Sequence, residues 1–178
     1  VFDGTKNSPY VEDDPCNPVS AYGRGKLMGE EYLREITDNY LIIRTAWLYG
    51  KHGKNFITAI VAKAEETGRL EVVDDQTGSP TYTVDLAAAV RVLIEGDHRG
   101  IFHITNRGSC TWFEFANKIM EYKEMNDVSI TPIKSEQLDR AATRPAYSVF
   151  SCRKFADATS RTMRFWQIAL KDYMVRMS

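Results

Sequence analysis

Tyr22 and Lys26 lie four residues apart in the run Ala21-Tyr22-Gly23-Arg24-Gly25-Lys26. In a helix that spacing puts both side chains on one face, near enough to share a ligand. A phenol by itself holds its proton too tightly to exchange it at neutral pH. An ammonium within about 4–6 Å favours the phenolate and eases the transfer. The pair therefore has the make-up of a general acid/base acting on a carbonyl or alcohol oxygen. A tyrosine and a lysine at this spacing also meet by chance on helix surfaces, so the assignment needs context.

Five further residues are candidates for holding what such a pair acts on. Trp47 ends the apolar run that begins at Leu41, and the ends of parallel strands are where α/β sheets place ligands; a core tryptophan is the alternative. Asn55 opens a helix after a Gly-Lys turn, where its amide and free backbone N–H groups suit a diphosphate or simply cap the helix. Gln76 and Thr81 bracket a loop with the glycine and proline content of a fixed conformation and enough polar groups to recognise a base or sugar. Arg144 precedes Pro145, which biases it toward an extended backbone. It can pair with a phosphate bidentately or make a surface ion pair. Asp3 reads as a turn residue rather than a second acid.

Composition excludes several other chemistries. The chain has 178 residues, 43% hydrophobic and 26% charged, with 23 Lys+Arg against 24 Asp+Glu for a net charge of −1. That is an ordinary globular mixture, not a coiled coil, a collagen or a low-complexity segment. No basic stripe supports nucleic-acid binding, and no apolar run approaches the roughly 20 residues of a membrane helix. Cys16, Cys110 and Cys152 are odd in number and widely spaced, which fits reduced thiols of a cytoplasmic protein. His52, His98 and His103 form no ligand cluster with them, so no metal is expected.

Order along the chain supplies the context. The series Val1-Phe2-Asp3-Gly4, Pro9-Tyr10, Glu12-Asp13-Asp14, Pro18, Tyr22-Gly23, Lys26 and Gly29-Glu30 continues with Arg44 to Gly50, Gly53 to Phe56 and Asp75 to Thr81. It goes on through Asp85-Leu86-Ala87, Arg144-Pro145, Ser148 and Trp166. This series resembles the extended short-chain dehydrogenase/reductase family, and within it the dTDP-4-dehydrorhamnose reductases. The resemblance implies hydride transfer from NADPH or NADH to a dTDP-4-keto-6-deoxy sugar, giving dTDP-L-rhamnose. It makes Tyr22 the general acid at the C4 oxygen and Lys26 the residue that holds the nicotinamide ribose. Trp47, Asn55, Gln76, Thr81 and Arg144 become substrate contacts. The family's Ser or Thr on the same oxygen would fall upstream of Val1. Some relatives bridge a dimer with Mg²⁺ through glutamates; Val84 and Arg176 stand at two of those places, so a homodimer of this protein would lack that bridge. Two alternatives remain open: another sugar-nucleotide epimerase or dehydratase of the family, or a non-catalytic subunit resembling the β subunit of methionine adenosyltransferase.

These residues need elements to position them. A strand end at Val1 to Gly4 and a polar loop should lead into a helix over Val19 to Ile36, with Ser20 as its cap. Leu41 to Trp47 reads as a parallel strand buried on both faces. Helices are expected over Phe56 to Glu66, Val84 to Ile94 and Thr111 to Tyr122, and strands over Leu70 to Val73, Ile101 to Thr105 and Val128 to Ile133. Two short helices near Arg153 to Ala158 and Phe165 to Val175 finish the pattern. Alternation of this kind means α/β with a largely parallel sheet. No Gly-x-x-Gly-x-x-Gly turn follows a first strand, and the chain opens without Met, so it reads as the C-terminal portion of a Rossmann-like enzyme. Roughly one hundred residues, enough for three or four βα units, should precede it. On the family's plan, about 1–69 and 84–105 complete the Rossmann sheet and its helices. About 70–83 and 106–178 form most of a smaller, mixed substrate-binding subdomain.

Overall fold

A computed structural model describes residues 1–138 and 142–177. Helix α1, Ala21–Ile36, starts where Ser20 accepts a hydrogen bond from the Gly23 N–H, the cap expected from the sequence. Strand β1 (Leu41–Arg44) is followed by the short β2 (Leu48–Tyr49), helix α2 (Phe56–Thr67) and strand β3 (Arg69–Val73). Then come β4 (Thr77–Gly78), β5 (Thr81–Tyr82), α3 (Thr83–Glu95), β6 (Gly100–His103), β7 (Cys110–Thr111), α4 (Trp112–Tyr122) and β8 (Ser129–Ile133). Helices α5 (Arg153–Thr159) and α6 (Trp166–Met177) complete the α/β architecture.

The strands pair two by two. β1 runs parallel to β6, β2 to β5 and β3 to β8, whereas β4 and β7 are antiparallel. Parallel pairing therefore dominates, as the β/α alternation predicts.

Two packed regions hold these pairs. The larger buries Ile57 and Ile60 of α2, Leu70 and Val72 of β3, Phe115 and Ile119 of α4 and Leu170 and Tyr173 of α6. The smaller gathers Ala89 and Leu93 of α3, Phe102 of β6 and Phe155 of α5. Burying each large side chain contributes about 1.5–3 kcal/mol. Capping boxes fix the starts of two of the core helices. In α2, Asn55 and Thr58 exchange side chain and backbone bonds, and in α4 Thr111 and Glu114 do the same. Each satisfies two donors that the first turn leaves free.

Three expectations need correction. Val1 to Gly4 is not a strand: Phe2 is buried and stacks on Tyr10, and Asp3 closes a turn by accepting from Thr5, Tyr10 and Asn17. The apolar strand stops at Arg44 rather than running to Trp47, because Trp47 adopts a left-handed backbone (φ 49°) that no strand continues through. Within β1 it is Arg44 that is buried, while Leu41, Ile42 and Ile43 are half-buried. The loop expected between Gln76 and Thr81 contains β4, a two-residue strand too short to show in sequence periodicity. Part of the segment between Ser135 and Arg144, where the pattern is weakest, lies outside the described residues.

Candidate active site

Tyr22 and Lys26 project from the first turns of α1. The Lys26 ammonium lies over the Tyr22 ring, 5.5 Å from its centroid, and both side chains are exposed. The helix meets the preceding loop closely at this point. A Cβ on Gly23 would come within 2.8 Å of Pro18 Cβ, so the glycine beside Tyr22 is what lets the helix start against that proline. Asn17 donates its N–H to the Val1 carbonyl and its side chain to Asp3, tying the loop to the opening turn.

One turn further along the same face, Glu30 meets Arg44 of β1. The Arg44 Nε donates to both Glu30 oxygens at 3.0 and 3.1 Å, and Nη2 to Oε2 at 2.6 Å. Arg44 also donates to the Glu12 carbonyl and to Cys16 Sγ, and its Nη1 lies 3.4 Å from His103 Nε2. Burial works against the charged guanidinium, and the Glu30 carboxylate more than offsets it, holding Arg44 protonated above its ordinary range. His103 is fully buried, which pushes its imidazole down to about 4. Its Nδ1 lies 3.1 Å from the Tyr10 carbonyl. A neutral ring that donates there leaves Nε2 to accept from Arg44. This buried hub anchors the helix that carries Tyr22 and Lys26.

Trp47 belongs to a second cluster. Its carbonyl accepts from the Thr81 N–H at 3.0 Å, and the adjoining Leu48 pairs with Thr81. The indole packs on Gly78, where a Cβ would lie 2.6 Å from Nε1 and 2.7 Å from Cζ2. Its face stacks on Trp112, with ring centroids 3.5 Å apart and planes 8° from parallel. Trp112 in turn touches Phe56, which follows Asn55. Asn55 is a helix cap whose amide also donates to the Gly50 carbonyl, so both ends of its side chain already have partners. Gln76 is buried on the strand of chain that leads into β4. Thr81 is fully buried with its hydroxyl on the Ser79 carbonyl, which makes it a brace for the Trp47 turn. Arg144 is exposed. The segment after it docks through Ala146, whose carbonyl accepts from Thr77 beside Gln76, while Pro145 packs on Gly4.

The structure thus joins Trp47, Thr81 and the loop after Gln76, brings Asn55 next to them through Phe56 and Trp112, and sets the Arg144 segment against the same loop. Tyr22 and Lys26 form a separate group on α1. A cavity of about 550 Å³ bounded by α1, β1 and β6 is lined by Glu12, Cys16, Leu27, Arg34 and Lys154 among others. None of the candidate residues lines it, and its mixed charges favour no single ligand, so it is not assigned to the site. Among the described residues no group of three or more His, Cys, Asp and Glu could hold a metal, and no helix is long and apolar enough to cross a membrane.

Sequence reading passed over Trp112 and the roles of Glu30, Arg44 and His103. Two signals were available. Glu30 continues the spacing of four that links Tyr22 and Lys26, and an arginine inside an apolar strand requires a buried partner. The Trp47–Trp112 stack had no such signal, since the two lie on elements far apart in the chain.

Comparison with known proteins gives the family and the fold. The model of the RmlD substrate binding domain matches residues 1–178. The spore coat polysaccharide biosynthesis protein SpsK of Bacillus subtilis is 43% identical over 178 residues, all of this chain and 62% of that protein. The crystal structure of a dTDP-4-dehydrorhamnose reductase from Clostridium acetobutylicum superposes with a TM-score of 0.95 at 40% identity, covering 99% of this chain and 62% of that one. The reductase of Bacillus anthracis in complex with NADP gives 0.95 at 38%, with the same coverage. The chain spans about three fifths of the length of these relatives. With the family model matching from end to end, the chain belongs to the RmlD substrate binding domain family.

Proposed function

We propose that this chain is the substrate-binding and proton-transferring portion of a reductase that converts dTDP-4-dehydro-L-rhamnose to dTDP-L-rhamnose. The observation that carries the reading is the Tyr22/Lys26 pair on one exposed face of α1, with the ammonium 5.5 Å from the ring centroid. The relatives named as dTDP-4-dehydrorhamnose reductases support it, and one of them was solved with NADP.

The residues present fit the ribose end of a nicotinamide nucleotide. An ammonium with three donors and a phenolic hydroxyl stand side by side and unburied, which matches a pair of ribose hydroxyls. When bound, NADPH or NADH supplies a hydride to the sugar's carbonyl carbon. Tyr22 hydrogen-bonds the C4 oxygen and gives it the phenolic proton as the alcohol forms. Lys26 donates to the ribose hydroxyls and stabilises the phenolate left on Tyr22. Trp47, Asn55, Gln76 and Arg144 are the proposed contacts of the sugar nucleotide. Arg144 is free to meet a phosphate, and Thr81 serves by bracing the turn that presents Trp47. The cytoplasm, where sugar nucleotides and reduced thiols occur together, is the proposed location. A homodimer of this protein forms without a Mg²⁺ bridge, since Val84 and Arg176 stand at two of the places where some relatives carry the bridging glutamates.

The test is made in the whole enzyme that contains this chain. Tyr22→Phe should lower NADPH-dependent reduction of the 4-keto sugar at least 10²-fold, the usual weight of a positioned general acid. Lys26→Met should weaken nicotinamide binding and move the pH optimum upward. Near-normal turnover of Tyr22→Phe removes Tyr22 from the acid role. A stable partner enzyme without any NADPH oxidation favours the regulatory-subunit alternative instead.

A further inference from the structure

Trp47 is held in a way that simple core packing does not require. A bulky aromatic residue at φ 49° sits in the left-handed region, which L-residues with a Cβ avoid. Its backbone is pinned by the Thr81 N–H at 3.0 Å and by the β2–β5 pairing. Its indole edge occupies the space that any side chain at position 78 would need. What remains to be fixed is the plane of the ring, and a stacked aromatic residue bears on that. Trp112 lies parallel to it at 3.5 Å between centroids.

Trp112 is itself firmly placed. It is the first residue of α4, whose cap Thr111 accepts from the Glu114 N–H and donates to Asp74 Oδ1 at 2.6 Å. The antiparallel β4–β7 pair sets Gly78 opposite Cys110, so the glycine beneath Trp47 and the helix start bearing Trp112 are registered against each other. Trp112 also meets Phe56, 4.6 Å between centroids, at the start of the helix that Asn55 caps.

We propose that Trp112 is a positioning residue for the sugar-nucleotide site, setting the plane of Trp47 and its distance from the Asn55 cap. This rests on the reading that Trp47 contacts the dTDP-sugar. Trp112 acts through Trp47 and takes no part in proton transfer at Tyr22. Its removal frees the indole to rotate, and substrate binding then bears the cost of ordering it again.

The experiment uses the whole enzyme with dTDP-4-dehydro-L-rhamnose and NADPH. Trp112→Leu should raise KM for the sugar nucleotide roughly tenfold, the scale of one lost aromatic stack. kcat should change less than twofold, and the dissociation constant for NADPH should stay as in the parent. Trp112→Phe, which keeps a smaller ring under the indole, should raise KM by a lesser factor, about threefold, on the same argument. Near-UV circular dichroism should lose the coupled-indole signal in both variants. If Trp112→Leu does not fold, Trp112→Phe decides. The proposal is overturned by a parental KM in a folded variant that has lost the coupled signal, or by a loss of kcat at unchanged KM. Trp47→Leu separates the two levels. A parental KM there sinks the reading of Trp47 itself, whereas a raised KM there with a parental KM in Trp112→Leu sinks only the positioning role.

Discussion

Removing the Glu30 carboxylate should be among the most damaging single changes available on α1, one turn beyond Lys26 on the face it shares with Tyr22. The Glu30 and Arg44 side chains are 12% and 6% exposed, and three contacts between 2.6 and 3.1 Å join them. An exposed pair such as Arg153–Asp157 contributes about 0–1 kcal/mol. Glu30→Ala instead leaves a guanidinium buried without its counter-charge, which costs about 3–5 kcal/mol. Arg44 keeps the Glu12 carbonyl, Cys16 Sγ and His103 Nε2 as neighbours, so the lower end, about 3 kcal/mol, is expected. At about 2–4 °C per kcal/mol for a chain of this size, the melting temperature should fall by about 6–12 °C. Replacing both partners by Glu30→Leu and Arg44→Met should be far milder than either single change predicts, because no charge is left unpaired. The assay is chemical denaturation of the whole enzyme with the double-mutant cycle, alongside turnover. Tyr22, Lys26 and Glu30 share one stripe of α1, so turnover should fall with stability in the single variant. A loss under 1 kcal/mol in Glu30→Ala, or additive single effects, would refute the view that this pair anchors the helix.

Two further outcomes follow from the same geometry. His103 is buried neutral with its folded value depressed to about 4 from 6.5. Its contribution is therefore complete above pH 6.5 and lost as pH falls toward 4, since only the unfolded chain takes up a proton in that window. Between pH 7.5 and pH 5 the stability should drop by about 2 kcal/mol from this group alone, and His103→Gln should flatten that slope. Arg44 and Lys154 oppose protonation of the ring and Asp14 favours it. Asp3, held down to about 2 chiefly by the Thr5 N–H and then by the Tyr10 hydroxyl, acts in a separate and more acidic window, present above 3.8 and lost toward 2. An equally steep slope in His103→Gln would count against the buried ring as its source. Gly78→Ala would set a methyl against the Trp47 indole, 2.6 Å from Nε1. A destabilisation of about 1–3 kcal/mol is expected from overpacking, together with loss of the coupled-indole signal. An unchanged denaturation midpoint would show that the slot is looser than its contacts imply.

The elements were legible because their signals are local. Ser20 before α1, Asn55 before α2 and Thr111 before α4 are caps that side-chain chemistry announces. The β/α alternation announces parallel pairing. The Tyr22/Lys26 face follows from helix geometry alone. The end of β1 was not legible: Leu41 to Trp47 opens with three apolar residues, two of them β-branched, and the turn at Trp47 with its bond to Thr81 cuts it short. Thr81 illustrates the same limit. Its polarity made it a candidate contact, and its pairing with Leu48 buries it.

The amino-acid sequence alone determined the main helices and the longer strands in their order, the starts of α1, α2 and α4, and the face of α1 that Tyr22 and Lys26 share. Each of these depends on residues within a turn or two of one another. Tertiary structure alone decided which distant residues act together. Arg44 finds Glu30 across 14 residues and His103 across 59. Trp47 finds Gly78 and Trp112 only because β2 pairs with β5 and β4 with β7. Buried charges and stacked rings are stabilised by whichever partners the fold delivers. Residue types state that a partner is required, and only the packed chain states which one it is.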